Sequence, residues 1–418
     1  MPGTPHVLII GAGLAGLACA RQLSRAGLSC TILEASDGVG GRVRTDRLDG
    51  FQLDRGFQVF LSGYPEAQRT LDYQALKLRA FHPGALVRYG GRFHRISDPF
   101  QRPQDLFHTL MSPIGSLRDK LRILRLRWDA LHQRICARTS GASRSTQQVL
   151  QEYGFSPAML TRFFQPFLGG VLLDETLQAP CWLFEFLWAA FSRGTIALPE
   201  QGMGAIAGQL AAALPAGSIR LNATVDHVEE NSVTLESGER LAGDAVVLAT
   251  DYAAAAKLRG DAPIALSARH ASTLYFDAAM SPVRGPWLIV NGDGSGPVQT
   301  VCVLSEVAPT YAPPGRSLIA VNLRGSVTTA MGDRPQAVLE QLREWFGAPV
   351  NAWRHVRTDD ISGALPPLAL LHAPHTVGFP RTASGLYLCG DYCESGTLDG
   401  ALVSGRQTAE ALLATHYT

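Results

Sequence analysis

At 418 residues the chain is too long for one ordinary core, so two domains are the starting expectation. A hydrophobic share of 46% and a charged share of 17% describe a globular protein with ample core material. A net charge of +1 makes no case for nucleic acid as a partner. No basic n-region precedes the first apolar run, and no uninterrupted apolar run approaches the ~18 residues of a membrane span. The seven cysteines are odd in number and scattered, which reads as reduced thiols in a cytoplasmic setting. Cys389 and Cys393 lie four apart, not in a CxxC pair, so no redox dithiol is expected.

Residues 7–10 are four apolar residues in a row and predict a short buried strand. The turn Gly11-Ala12-Gly13-Leu14-Ala15-Gly16 follows, and then a helix with Leu14, Leu17, Ala18 and Leu23 on one face, ended by Gly27. A second strand over residues 30–33 delivers Glu34, near the ~20-residue spacing of a ribose-binding carboxylate. Gly11 permits the tight turn, Gly13 the approach of a pyrophosphate, and Gly16 close helix–strand packing. The helix N-terminus offers free N–H groups to phosphate. This is a dinucleotide site; the alternative is a glycine-rich turn without ligand. Further on, Gly40 and Gly41 let another backbone segment approach the cofactor, and Arg42 supplies a positive fork. Asp49-Gly50 predicts a hairpin turn, whose second strand leads into residues 54–60.

Together GAGLAG, LEAS, GGRVRT and DRGFQ resemble the flavin-containing amine oxidase superfamily. That group also holds protoporphyrinogen oxidases and phytoene-type desaturases and isomerases, and the chain looks closer to these branches than to amine oxidases. The resemblance implies an α/β fold: a Rossmann-type FAD-binding domain, glutathione-reductase-like in its βαβ unit, with an interleaved α+β substrate domain. The FAD domain would take residues 1–60, 196–262 and 367–418. The substrate domain would take residues 61–195, mostly helical, and 263–366, strands plus a helix. FAD is expected to bind non-covalently. Its pyrophosphate would rest on Gly11 through Gly16, its ribose on Glu34 beside Ala35, and its phosphates on Arg42 with Gly40 and Gly41. Gly56 and Phe57 would lie near the isoalloxazine, and the Val225 backbone near the adenine. Gly390 and Asp391 would meet the ribityl or phosphate region. Leu398 and Ala401 would sit by the flavin N1/O2 edge, where a helix N-terminus favours negative charge.

Between these motifs, residues 116–138 predict a helix with Leu117, Leu121, Leu124, Trp128, Leu131 and Ile135 on one face. Its other face carries Arg118, Lys120, Arg122, Arg125, Arg127, Arg134 and Arg138. Two readings stand: a surface helix with solvated cations, or a basic amphipathic helix resting on a membrane or a partner. Residues 153–157 predict a turn ahead of the aromatic run Phe163, Phe164 and Phe167, and residues 182–191 a buried helix or lipophilic pocket wall. Gly202, Gly204 and Gly208 do not make a second nucleotide site, because the spacing is GxGxxxG and no acid ends the next strand. Strands are expected near 219–222, 245–250, 272–276, 287–290, 298–304 and 317–321, with a helix near 335–345.

The chemistry this implies is hydride removal from a substrate carbon, with the flavin carrying the difficult step. No Ser/His/Asp triad, metal-ligand spacing or Walker loop competes. Without a second dinucleotide fingerprint, the electron acceptor is oxygen, a quinone or another external carrier. No catalytic residue is assigned; Phe57, Trp353 and Thr397 are candidates to face the flavin. Amine oxidases in the superfamily usually carry Tyr at the position of Thr397 and a lysine on a substrate-domain strand. Here Thr stands at 397, and Lys77, Lys120 and Lys257 are the only lysines. The aromatic middle favours a large lipophilic substrate, such as a carotenoid polyene or a porphyrinogen, unless those rings only pack the core. The alternatives are a flavin amine oxidase using oxygen and releasing peroxide, and a non-catalytic flavin-binding assembly or regulatory protein.

Overall fold

The computed structural model describes residues 5–137, 144–261, 269–325, 333–371, 381–382 and 384–416. Strand β1 (His6–Ile10), helix α1 (Leu14–Arg25) and strand β2 (Ser29–Leu33) form a βαβ unit, with β1 and β2 parallel and Ile10 opposite Leu33. Every residue of β1 after His6 is buried, as expected of a strand covered on both faces. Three further parallel strands complete a five-stranded sheet in the order Ile219–Arg220, β2, β1, Ala245–Leu248, Tyr387–Leu388. Sequence-distant strands thus share one sheet, and the last helix, Leu398–His416, returns to pack on α1.

The second large sheet has seven strands, in the order Arg354–Leu365, Arg269–Ala278, Ser317–Leu323, Val298–Val303, Leu288–Asn291, Gly84–Tyr89, Arg92–Ser97. Only Leu288–Asn291 with Gly84–Tyr89 is a parallel pair. Residues 61–195 therefore contribute two strands to this sheet besides their helices. Helix Arg334–Phe346 covers one face through Val338, Leu342 and Trp345, in a core with Phe276 and Ile319. The Asp49-Gly50 hairpin forms as read, with positive φ at both residues and Leu48 paired to Phe51.

Two expectations are corrected. Cys136 and Cys181 are joined in a disulfide across a Cα separation of 6.0 Å, so these two are not free thiols. The bond ties the segment after helix Leu117–Leu131 to the start of helix Cys181–Arg193. There Glu185 accepts hydrogen bonds from Ile135 N (2.6 Å) and Cys136 N (3.4 Å), which explains a carboxylate in an otherwise apolar helix.

The basic helix also differs. It runs Leu117–Leu131, ends before Ile135, and Arg138 lies outside the described residues. Its apolar stripe faces outward, with Leu117, Leu121 and Trp128 each more than half exposed. The side against the protein carries Asp119, Lys120, Leu126, Asp129 and Ala130. Hydrogen bonds decide the orientation: Asp119 accepts from Ser116 N (2.7 Å), Ser156 N (2.8 Å) and Ser156 Oγ (2.7 Å). Lys120 Nζ donates to the carbonyls of Leu110 and Ser112, both at 2.8 Å.

Candidate functional site

The turn after β1 has the geometry the glycines require. Gly11 has φ +106°, and its N–H donates to Leu33 O at 2.8 Å. A Cβ there would stand 2.8 Å from Ala249 O, and one at Gly16 only 2.1 Å from Gly11 O. Gly13 differs: it is the N-cap of α1, and a Cβ on it would meet nothing within 4 Å. Gly11 and Gly16 are thus held by close backbone, whereas Gly13 borders open space at a helix N-terminus, where a pyrophosphate fits. Leu14 and Ala15 are buried behind it.

The neighbouring motifs converge on this turn. Gly40 N donates to Ala12 O at 2.8 Å, and a Cβ on Gly41 would lie 3.5 Å from the Gly13 Cα. Glu34 Oε2 accepts from Ala12 N (2.7 Å), and its Oε1 accepts from Ser36 N (2.9 Å) and Ser36 Oγ (2.6 Å). Ala35 is exposed beside it. Glu34 O accepts from Ala223 N at 2.8 Å, so the segment entering the strand that starts at Val225 lies on this side.

Arg42 lies toward the chain's other end. Its Nη2 is 2.7 Å from Asp391 Oδ1, and its Nη1 donates to Ala364 O at 3.0 Å. Motifs 349 residues apart are thereby joined. Gly390 N donates to Ser404 Oγ on the last helix at 3.1 Å. That helix crosses α1 where a Cβ on Gly405 would stand 2.2 Å from Ala15 O, and it begins at Leu398 with Ala401 in its first turn. Thr397 precedes it; its Oγ1 accepts from Gly400 N at 3.0 Å and shares a hydrogen bond with Ser395 Oγ at 2.8 Å. The Thr397 side chain therefore serves the helix end.

The Gly56–Phe57 segment hangs from the seven-stranded sheet. Gly56 N donates to Asp359 Oδ2 and Phe57 N to Thr273 Oγ1, both at 3.0 Å. Thr273 in turn donates to Asn322 Oδ1 at 2.7 Å. Trp353 is placed elsewhere: it packs against Phe276 and Phe346 in the core beneath helix Arg334–Phe346. It is not brought beside Phe57 or Thr397.

Asp399 and Tyr64 carried no sequence signal of their own, and Asp54, the first residue of DRGFQ, gave no sign of its partners. Asp399 Oδ1 accepts from Glu66 N and Ala67 N, both at 2.9 Å, and closes the N-terminus of helix Pro65–Thr70. Burial pushes its carboxyl up to about 6, further raised by the Glu66 charge and partly offset by the two N–H donors. Tyr64, facing Thr397, has its hydroxyl pKa raised by burial and by the Asp399 charge. Its ring stacks on Phe186 at 5.9 Å. Asp54 is fully buried and also pushed up to about 6, chiefly by desolvation, against hydrogen bonds from Thr45, Tyr311 and Met203 N. Each depends on tertiary packing, although Asp399 stands in a glycine-rich helix start that the sequence does show.

Over its full length the chain resembles known redox proteins. It is 26% identical to the coproporphyrinogen III oxidase of Propionibacterium freudenreichii subsp. freudenreichii, across 82% of this chain and 77% of that one. It is 28% identical to protoporphyrinogen oxidase 2 of Arabidopsis thaliana over 40% of this chain and 32% of that one. Among solved structures, an oxidoreductase from Methanosarcina mazei superposes with a TM-score of 0.76 at 20% identity, covering 97% of this chain and all of that one. A putative protoporphyrinogen oxidase from Exiguobacterium sp. 255-15 gives 0.69 at 19% identity, covering 99% and 100%. The family model of the flavin containing amine oxidoreductases matches residues 14–413. FAD, which the glycine turn, Glu34 and Arg42 fit, is therefore the cofactor, and the chain belongs to the flavin containing amine oxidoreductases as an FAD-dependent oxidoreductase.

Proposed function

We propose that this oxidoreductase removes hydride from, or isomerises, a large lipophilic substrate of the polyene or porphyrinogen kind. Its electrons pass to oxygen, a quinone or another external acceptor. The observation that carries this reading is the aromatic wall beyond Thr397. Tyr64 stacks on Phe186 of helix Cys181–Arg193. From Phe191 of the same helix, ring contacts run to Phe167 at 5.5 Å and on to Phe163 at 5.5 Å. Phe57, Phe186 and Phe191 are only partly buried, so their faces are available to an apolar ligand. The relative named coproporphyrinogen III oxidase supports the porphyrinogen end of that class.

FAD in this reading is bound non-covalently, with its pyrophosphate over Gly13 and its adenosine ribose at Glu34. Arg42 answers a phosphate while Asp391 holds its guanidinium in place. The flavin ring lies between Phe57 and the start of helix Leu398–His416, where the helix N-terminus favours negative charge on the ring. When bound, FAD supplies the hydride chemistry. Contact with a membrane, where such a substrate dissolves, is part of the same reading.

The test is anaerobic flavin bleaching in the FAD-loaded enzyme against porphyrinogen, carotenoid and amine substrates. Reduction by a porphyrinogen or polyene is expected. Reduction by amines alone, with peroxide formed in air, overturns the proposal.

A further inference from the structure

We infer that the face built by helices Leu106–Met111 and Leu117–Leu131 docks on an anionic lipid bilayer. The inference names the surface and the lipid class for the membrane contact in the reading above, and it rests on that part of it. Among the described residues, eight of the eleven exposed large apolar side chains fall within residues 100–128. Scattered single apolar residues are ordinary on a surface; a concentration of this kind marks an interaction site. Phe107 and Met111 are 70% and 71% exposed on the first helix, and Leu117, Leu121 and Trp128 are 61%, 67% and 57% exposed on the second. The spacing of the last three puts them on one stripe about 16 Å long.

The two helices belong to one ledge. Lys120 on the second bonds the carbonyls of Leu110 and Ser112 at the end of the first. The Arg127 guanidinium lies 5.5 Å over the exposed ring of Phe100.

The longer helix is docked inside out. It holds the protein through Asp119, Lys120 and Asp129, and gives its apolar stripe to the outside. Burial would push the Asp119 carboxyl up, but hydrogen bonds from Ser156 and Ser116 outweigh it and hold it at about 2. Asp129 accepts from the Tyr153 hydroxyl at 2.9 Å.

Charge selects the partner. Residues 92–134 hold nine Lys or Arg against four acids, Asp98, Asp105, Asp119 and Asp129, in a chain whose net charge is only +1. None of the four acids is exposed, whereas Arg118, Arg125 and Arg134 are. The outer surface is therefore apolar with a cationic rim, the pattern of a helix lying in the headgroup layer of anionic lipid. A second copy of the chain would bring two cationic rims together, which disfavours self-association through this face.

The test uses the FAD-loaded full chain and vesicles of neutral phosphatidylcholine, alone or with roughly a quarter phosphatidylglycerol. Flotation is expected with the anionic vesicles, weakened by salt and at least about tenfold weaker for F107S/M111S or R118E/R125E at unchanged flavin content. Quenching of tryptophan fluorescence by brominated lipid should fall in Trp128→Phe. Three outcomes overturn the inference: no preference for anionic vesicles, variants that float as well as the parent, or a dimer in sedimentation that the same variants dissolve. Turnover of detergent-dispersed substrate separates the two readings. If the variants lose vesicle binding but keep that turnover, the face is confirmed. If no lipophilic substrate reduces the flavin, the functional reading fails even where docking stands.

Discussion

Glu34 shows how much a single carboxylate does at the turn. Its two oxygens accept from Ala12 N, Ser36 N and Ser36 Oγ, so it orders the backbone of the glycine turn besides its proposed place at the ribose. Glu34→Ala removes the acceptor of Ala12 N, which costs about 1–3 kcal/mol where water cannot replace it. Flavin occupancy, read from the visible absorbance of the purified protein, should fall at least about tenfold while circular dichroism keeps the native secondary structure. Occupancy equal to the parent would remove Glu34 from the site. Asp399 gives a prediction in pH. Its folded-state pKa, about 6, lies above the unfolded value near 4. Its contribution to stability is therefore present in full below about pH 4 and is lost as pH rises through about 6. Asp399→Asn keeps an oxygen to accept from Glu66 N and Ala67 N but no longer titrates. Urea midpoints at pH 5 and 7.5 should differ less for Asp399→Asn than for the parent, and the variant should be at least as stable at the higher pH. An unchanged difference between the two midpoints would mean that other groups set it. Asp54, buried and raised in the same direction, supplies part of the slope that remains in the variant.

At the scale of elements, the period of the apolar residues was readable and the direction they face was not. Residues 117–131 are helical as the spacing of Leu117, Leu121, Leu124 and Trp128 requires. Yet which side packs depends on partners elsewhere in the chain, namely Ser156, Tyr153 and the carbonyls of Leu110 and Ser112. Hydrogen bonds to Asp119 and Lys120 override hydrophobicity there, and no local pattern announces them. The glycine turn behaved otherwise, because Gly11 and Gly16 answer steric demands written in local spacing. The same demand recurs at Gly405, where the last helix crosses α1 with Ala15 O 2.2 Å from a would-be Cβ. Gly405→Ala must spread the two helices, at a cost of about 1–3 kcal/mol, and should lower flavin occupancy because Leu398 and Asp391 move with the helix. Gly208→Ala is the control: it lies in helix Gly204–Ala212 with nothing within 4 Å of the new methyl. That variant should gain roughly 0.5–1 kcal/mol in urea unfolding. Equal stability for the two variants would dismiss the crossing as a constraint.

Across the whole molecule, the sequence motifs marked the cofactor but not the joint between its sheet and the seven-stranded sheet. That joint is polar and made of pairs far apart in the chain. Arg357 on strand Arg354–Leu365 bonds Asp46 of the hairpin at 2.9 Å and Asp359 at 2.8 Å. The Tyr275 hydroxyl donates to Asp54 O at 2.6 Å. Gly56 and Phe57, between the two sheets, are fixed by Asp359 and Thr273 on the far one. Phe57 was legible as a motif residue; the groups that hold its backbone were not, because a Thr and an Asp on neighbouring strands look like any other strand residues. If the proposed flavin position is right, the reaction depends on this joint more than binding does. Thr273→Val keeps the side chain's shape, leaves Phe57 N without an acceptor and lets the segment shift. Small displacements of positioned groups cost rate steeply, so flavin reduction by substrate should slow about tenfold or more in stopped flow. Flavin content should stay near that of the parent, because Gly13, Glu34 and Arg42 are untouched. Thr273→Ser restores the hydroxyl and should recover most of the rate. Loss of flavin in Thr273→Val, or failure of Thr273→Ser to recover the rate, would place the role of Thr273 in general stability and not in holding Phe57.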